Sequence, residues 1–130
     1  MSRPGNTKTT EQDTRDEIKM KPIICIDFDG VLNNYTHYDK DDLFEPRPGA
    51  EQFLQKLSKK YTVIILSARR YTKIMVWLKE HGLLEYVAEV TSIKPPAHVY
   101  LDDRAVQFNG DYDKALKDIR RFKPYWKKEG

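Results

Sequence analysis

The chain is expected to fold as an α/β domain around a central parallel sheet, and three features of the sequence predict it. Ile23-Ile24-Cys25-Ile26 and Thr62-Val63-Ile64-Ile65-Leu66 are short apolar runs without polar alternation, the pattern of strands buried on both faces. Stretches with apolar residues at helical spacing lie between and after such runs. Strand and helix therefore take turns, which puts helices on both faces of one sheet in a three-layer sandwich. At 130 residues there is room for one core of ordinary size.

Residues 1–20 mix Ser, Thr, Asn, Gln and charged residues with almost no apolar ones, the composition of a disordered arm. The domain is expected over 21–122, opening at Ile23 to Ile26. A polar loop follows, and then a helix from Ala50 to Lys60, introduced by Pro48-Gly49, with Phe53, Leu54 and Leu57 on its apolar side. Thr62 to Leu66 is the second strand. The next helix spans Tyr71 to His81, with Ile74, Trp77, Leu78 and Met75 inward and Gly82 as its C-terminal cap. A third, weaker strand is expected near Val87 to Thr91 and a fourth at His98 to Leu101. A last helix, Asp113 to Phe122, aligns Leu116, Ile119 and Phe122 on one face, and 123–130 form a basic and aromatic tail.

Composition narrows the class. A hydrophobic content of 39% against 33% charged residues describes a soluble globular protein. The net charge of +3 is too small to argue nucleic-acid binding, although Lys114 to Lys128 concentrates seven basic residues against the single acid Asp118. No apolar run has the length of a membrane span and no secretory h-region opens the chain, so a cytoplasmic location is the expectation. The one cysteine, Cys25, has no partner for an internal disulfide and reads as a small buried filler among isoleucines.

In parallel α/β sheets ligands bind beyond the carboxyl ends of the strands, and three of the four strands here end in chemically capable residues. These are Asp27 and Asp29, then Ser67 with Arg69, then Asp102 and Asp103. Asp27 and Asp29 alternate along an extended segment and share a face, while Gly30 lets the backbone turn away. Carboxylates forced together repel unless a cation or proton offsets them, and a hard divalent ion with oxygen ligands, such as Mg²⁺, suits the set. The Ser67 hydroxyl and Lys94 suit a phosphate. Singly, each has a plainer reading: Ser67 as a helix cap, Lys94 as a solvated loop lysine, and Asp39, Asp41 and Asp42 as a solvated loop.

Taken in order, Asp27-Phe28-Asp29-Gly30-Val31-Leu32, the strand ending at Ser67, Lys94-Pro95 and the strand ending in Asp102-Asp103 resemble the four motifs of the haloacid dehalogenase superfamily. The likeness spans roughly residues 22 to 122. It implies a Rossmann-like fold and a Mg²⁺-dependent phosphomonoester hydrolase. Asp27 would be the nucleophile that becomes an aspartyl phosphate, and Asp29 the acid and base, which requires a pKa nearer neutral than that of an isolated Asp. Ser67 and Lys94 would hold the phosphoryl oxygens. Asp27, the backbone carbonyl of Asp29, and Asp102 would ligate Mg²⁺, with Asp103 either ligating through water or orienting Lys94. Arg69, Asn33 and Arg104 are candidate substrate contacts.

Members of that superfamily often carry a cap domain over the site, but the stretch from Asn33 to Pro48 holds only a hairpin or flap. The segment from Ser67 to Lys94 is used up by one helix and one strand. A capless, open site is the expectation, with room for a nucleotide, a nucleic-acid end, a sugar phosphate or a phosphoprotein. Ser67-Ala68-Arg69 with Asp102-Asp103-Arg104 is also similar to the phosphatase half of polynucleotide kinase-phosphatases. The flap residues Asn33, Asn34, Tyr35, His37 and Tyr38 are polar and aromatic, suited to stacking on a base or sugar or to an ordinary mobile loop. Phe122, Tyr125 and Trp126 are expected to pack the tail on the body. Two other classes compete. A receiver domain is disfavoured because its lysine follows the acidic pair, and a noncatalytic phosphate-ligand or nucleic-acid binding module could retain the same fold.

Overall fold

The computed structural model describes residues 21–127, so the expected N-terminal arm and the last three residues lie outside the described part. It is an α/β fold with a four-stranded, all-parallel central sheet flanked by helices, as expected of a Rossmann-like sandwich. The strands are β1 (Ile23–Asp27), β2 (Thr62–Leu66), β3 (Glu89–Thr91) and β4 (Val99–Leu101), in the order β3-β2-β1-β4. The helices are α1 (Ala50–Lys60), α2 (Tyr71–Glu80) and α3 (Tyr112–Arg121). A 3₁₀ turn at Leu84–Tyr86, not anticipated from the sequence, precedes β3. Among the described residues no helix is long and apolar enough to cross a membrane.

The register explains how the sheet builds an edge for chemistry. Asp27 pairs with Leu66, and Ile26 pairs with Leu101, so the residues that follow β2 and β4, Ser67 and Asp102, emerge beside Asp27. Ile24 and Ile26 of β1, Val63 and Ile65 of β2 and Val90 of β3 share one face and form the core with Leu54, Ile74, Trp77 and Leu78. Both connections β1 to β2 and β2 to β3 advance in one direction across the sheet, and right-handed crossovers then put α1 and α2 over the same face. Leu54, Ile74 and Leu78 are wholly buried there, and Met75 packs on the rim of the core. Cys25 is buried among the strands with its thiol pKa pushed up by burial, which fits an inert filler.

Helix α2 stops where the sequence indicated. Gly82, at φ 71°, donates to Lys79 O, and Leu83 donates to Leu78 O, the paired bonds of a Schellman cap that favours glycine at that position. Helix α3 lies one residue from its expected bounds and is solvated. None of its residues is buried, and Leu116 and Ile119, which their spacing puts on one face, are each 61% exposed. Local bonds sustain it instead. Asp111 caps the Lys114 N–H, Lys114 pairs with Asp118 one turn on, and Arg120 and Arg121 sit at the negative end of the helix dipole.

Candidate active site

The acidic edge begins with alternation in the chain. Phe28 is fully buried and meets Trp77 edge to face at 4.8 Å, which fixes the segment and leaves the flanking Asp27 and Asp29 at the surface edge. Val31 and Leu32 both donate to Phe28 O, turning the chain at Gly30. Gly30 has φ 87°, and a Cβ there would collide with the Asp103 carboxylate, lying 2.7 Å from its Cγ. Glycine is needed twice over here, for the turn and for the close approach.

Asp27, Asp102 and Asp103 each offer an oxygen within 4.8 Å of the others. The Asp27 carboxyl is pushed up to about 8, first by burial, then by its hydrogen bond with Asp103 and by the charges of Asp102, Asp103 and Asp29. Asp103 Oδ1 is buried and has no donor among the described residues while Asp27 is ionised. A proton on Asp27 supplies that bond. A cation would satisfy it equally, and three converging carboxylates suit a hard divalent ion such as Mg²⁺. Asp102 is exposed and accepts the Arg104 N–H at 2.8 Å through Oδ1, which shapes the loop after β4.

Asp29 is held differently from Asp27. Arg69 Nε lies 3.0 and 2.9 Å from its two oxygens, and Asn33 Nδ2 donates to Oδ1 at 2.9 Å. The Arg69 side chain is 3% exposed, donates through Nη1 to Asp39 O at 2.7 Å, and lies over the Tyr38 ring. Its Nη2 is buried and has no partner among the described residues. Asn33 is 0% exposed, accepts the Gly30 N–H, and donates its second amide hydrogen to Leu43 O. The expectation that Asn33 touches substrate is therefore corrected: its polar atoms are spent inside the fold. Arg69 is likewise turned inward, clamping Asp29 rather than reaching outward.

The remaining candidates are distributed around this edge. Ser67 is buried, donates its N–H to Thr91 O, and accepts the Arg69 N–H on Oγ at 3.0 Å, so its hydroxyl also serves the turn into α2. A cleft of about 420 Å³ opens beside it, lined by Ser67, Arg69, Arg70, Tyr71 and Thr91. Lys94 is exposed, with Nζ 4.4 Å from the centre of the Tyr100 ring. The expected alternative in which Asp103 orients Lys94 is not the arrangement seen, because Lys94 Nζ lies over Tyr100 while Asp103 Oδ2 accepts the indole N–H of Trp126. Asn33 and Pro46 form an antiparallel bridge, closing 33–46 into the flap the gap length allowed. Asp39 there accepts the N–H groups of Asp41 and Asp42, the self-contained turn of a solvated loop.

The C-terminal tail is the part of the site that sequence spacing did not disclose. The Tyr125 hydroxyl donates to Gly30 O, and Arg47 lies over its ring at 5.1 Å. Trp126 meets Tyr35 edge to face at 4.9 Å, and Arg104 lies 5.0 Å over its indole. Packing of Tyr125 and Trp126 on the body was anticipated, but not their place against the acidic cluster. The bonds join residues 95 and 23 positions apart, beyond the reach of any local pattern.

Fold and edge together define an α/β protein with an acidic, metal-competent site at the carboxyl end of a parallel sheet. No protein-family model matches the sequence, and no curated protein matches it. Among solved structures the chain is similar to a conserved protein from Bacteroides thetaiotaomicron, with 22% identity and a TM-score of 0.53 over 81% of this chain and 94% of that one. At that identity the likeness speaks for the fold.

Proposed function

We propose that the chain is a Mg²⁺-dependent phosphomonoester hydrolase of the haloacid dehalogenase type, working in the cytoplasm. The observation that carries this reading is the convergence of Asp27, Asp102 and Asp103 within 4.8 Å at the ends of two neighbouring strands. Mg²⁺, held by those carboxylates, would offset their repulsion and stabilise negative charge developing on the phosphoryl group. Asp27 attacks phosphorus in line, the bond from phosphorus to the leaving oxygen breaks, and Asp29 gives that oxygen a proton. Water, losing its proton to Asp29, then attacks the aspartyl phosphate, the bond from Asp27 to phosphorus breaks, and inorganic phosphate leaves. Because Arg69 and Asn33 occupy the Asp29 oxygens, Asp29 must turn out of that clamp to reach a leaving group.

Ser67 and Lys94 would bind the phosphoryl oxygens, Lys94 after swinging away from Tyr100. The half-buried Tyr35 and Trp126, with Arg104 and Arg47 close by, favour a nucleotide or nucleic-acid end as the substrate class. One observation favours a noncatalytic phosphate-binding module instead: the Arg69 clamp on Asp29. Hydrolysis of an aryl phosphate separates the two. It is expected to require Mg²⁺ and to vanish in Asp27→Asn. Activity surviving that substitution defeats the aspartyl-phosphate route, and wild type that binds phosphate without turnover favours the module.

A further inference from the structure

Three carboxylates form the acidic cluster, and each is oriented by a different device. Asp27 is carried by the central strand and paired to Leu66. Asp102 is held by the N–H of Arg104, two residues on. Asp103 is held from the far end of the chain, by the indole N–H of Trp126 on Oδ2. With that oxygen taken, the other, Oδ1, is buried and has no donor among the described residues, and the Asp103 carboxyl lies within hydrogen-bond reach of Asp27.

We propose that Trp126 is a positioning residue for divalent-cation binding: by engaging one Asp103 oxygen it presents the other to Asp27, so tail docking and cation capture are coupled. This rests on the metal site of the proposed function. Hydrogen bonds to a ligating carboxylate from outside the coordination sphere set its orientation and basicity, and their removal typically weakens metal binding about 10–100-fold. Free rotation of Asp103 would otherwise have to be frozen when the ion arrives.

The tail is held in a way that suits this role. The absence of a side chain at Gly30 lets the Asp103 carboxylate and the Trp126 indole nitrogen both come against its backbone. Tyr125 locks to the carbonyl of the same glycine, and Pro124 just before it is buried. Tyr35 from the flap and Arg104 from the loop after β4 hold the indole ring. Trp126 thus connects the loop after β1, the flap and the loop after β4. The opposite reading makes the tail a plug that withholds Asp103 from the ion, and it predicts the opposite sign.

The test is calorimetric titration of the full chain with Mg²⁺, comparing wild type, Trp126→Phe, Asp103→Asn and the double variant. Phenylalanine keeps an aromatic ring between Tyr35 and Arg104 but cannot donate. Trp126→Phe is expected to weaken Mg²⁺ binding about 10-fold, and to weaken it no further in the Asp103→Asn background. Tyr125→Phe, which loosens the tail without touching Asp103, is expected to weaken binding to a smaller degree and stands in if Trp126→Phe does not fold. Indole emission should also change on adding Mg²⁺ to wild type and not to Asp103→Asn. Unchanged or tighter binding in the tail variants, or equal weakening with and without Asp103, overturns the proposal. If those results appear while Asp27→Asn still abolishes Mg²⁺ binding, the tail inference fails alone; if wild type binds no Mg²⁺, the metal reading fails and takes this inference with it.

Discussion

Replacing Asp27 with Asn should make the metal-free protein more stable, although it removes the proposed nucleophile. The Asp27 carboxyl rises from 3.8 to about 8 on folding, through burial, its bond with Asp103 and the charges of Asp102, Asp103 and Asp29. A raised acid means that the folded state binds its proton more tightly than the unfolded chain. Stability from this group is therefore unaffected below about pH 4, falls as pH climbs toward 8, and stays low above it. Taken whole, the rise corresponds to roughly 5–6 kcal/mol. Asp27 is only half-buried, so solvent screening reduces this to about 2–3 kcal/mol. For a domain of this size that is a melting-temperature increase of roughly 10–15 °C. Thermal and urea unfolding of wild type and Asp27→Asn in EDTA, at pH 4.5, 7 and 8.5, measures it. The gain should be smallest at pH 4.5, about 1 kcal/mol, and largest at pH 8.5, and Mg²⁺ should narrow it by stabilising wild type. A gain that does not grow with pH, or a variant less stable than wild type at pH 8.5, refutes the reasoning.

Two further substitutions probe the clamp on Asp29. Arg69 is the more buried partner, with its side chain 3% exposed against 22% for Asp29. Asp29→Ala should therefore cost about 3–5 kcal/mol by stranding a buried cation, whereas Arg69→Met leaves a carboxylate that water can reach and should cost less. Urea unfolding that gives the reverse order would count against the burial argument. Asn33→Ala removes three hydrogen bonds of 2.9 Å at a wholly buried position and strands the Gly30 N–H and Leu43 O, for a loss of about 2–4 kcal/mol. The neighbouring exposed Asn34→Ala should change stability by no more than about 0.5 kcal/mol, and equal losses at the two positions would contradict the assigned role.

Much of the fold was legible because it is written in local periodicity. The runs at Ile23 and Thr62, the helical spacing of Ile74, Trp77 and Leu78, and Gly82 as a cap all come from interactions within a few residues. Strand β3 and the 3₁₀ turn were harder to read, since Glu89–Thr91 is a three-residue edge strand with little pattern to carry it. The shared face of Leu116, Ile119 and Phe122 on α3 was a periodicity argument too. Amphipathic spacing states which residues share a side, but not whether another element comes to cover it. At the site, Asp27, Asp102 and Asp103 could be nominated from strand ends, whereas Asn33 looked like an exposed flap residue and is a buried bracket.

The sequence by itself determined the α/β alternation, the strand ends that carry acids, and the glycine at which the chain turns, because neighbours in the chain decide these. Tertiary structure decided what each acid touches. Register set Asp102 beside Asp27, a cation from the loop after β2 closed on Asp29, and an aromatic tail reached back to Asp103. Those partners lie between 23 and 75 positions apart (Asp103 and Trp126, Asp27 and Asp102), and no periodicity extends across such distances. Only the packing of the sheet and its loops brings them into contact.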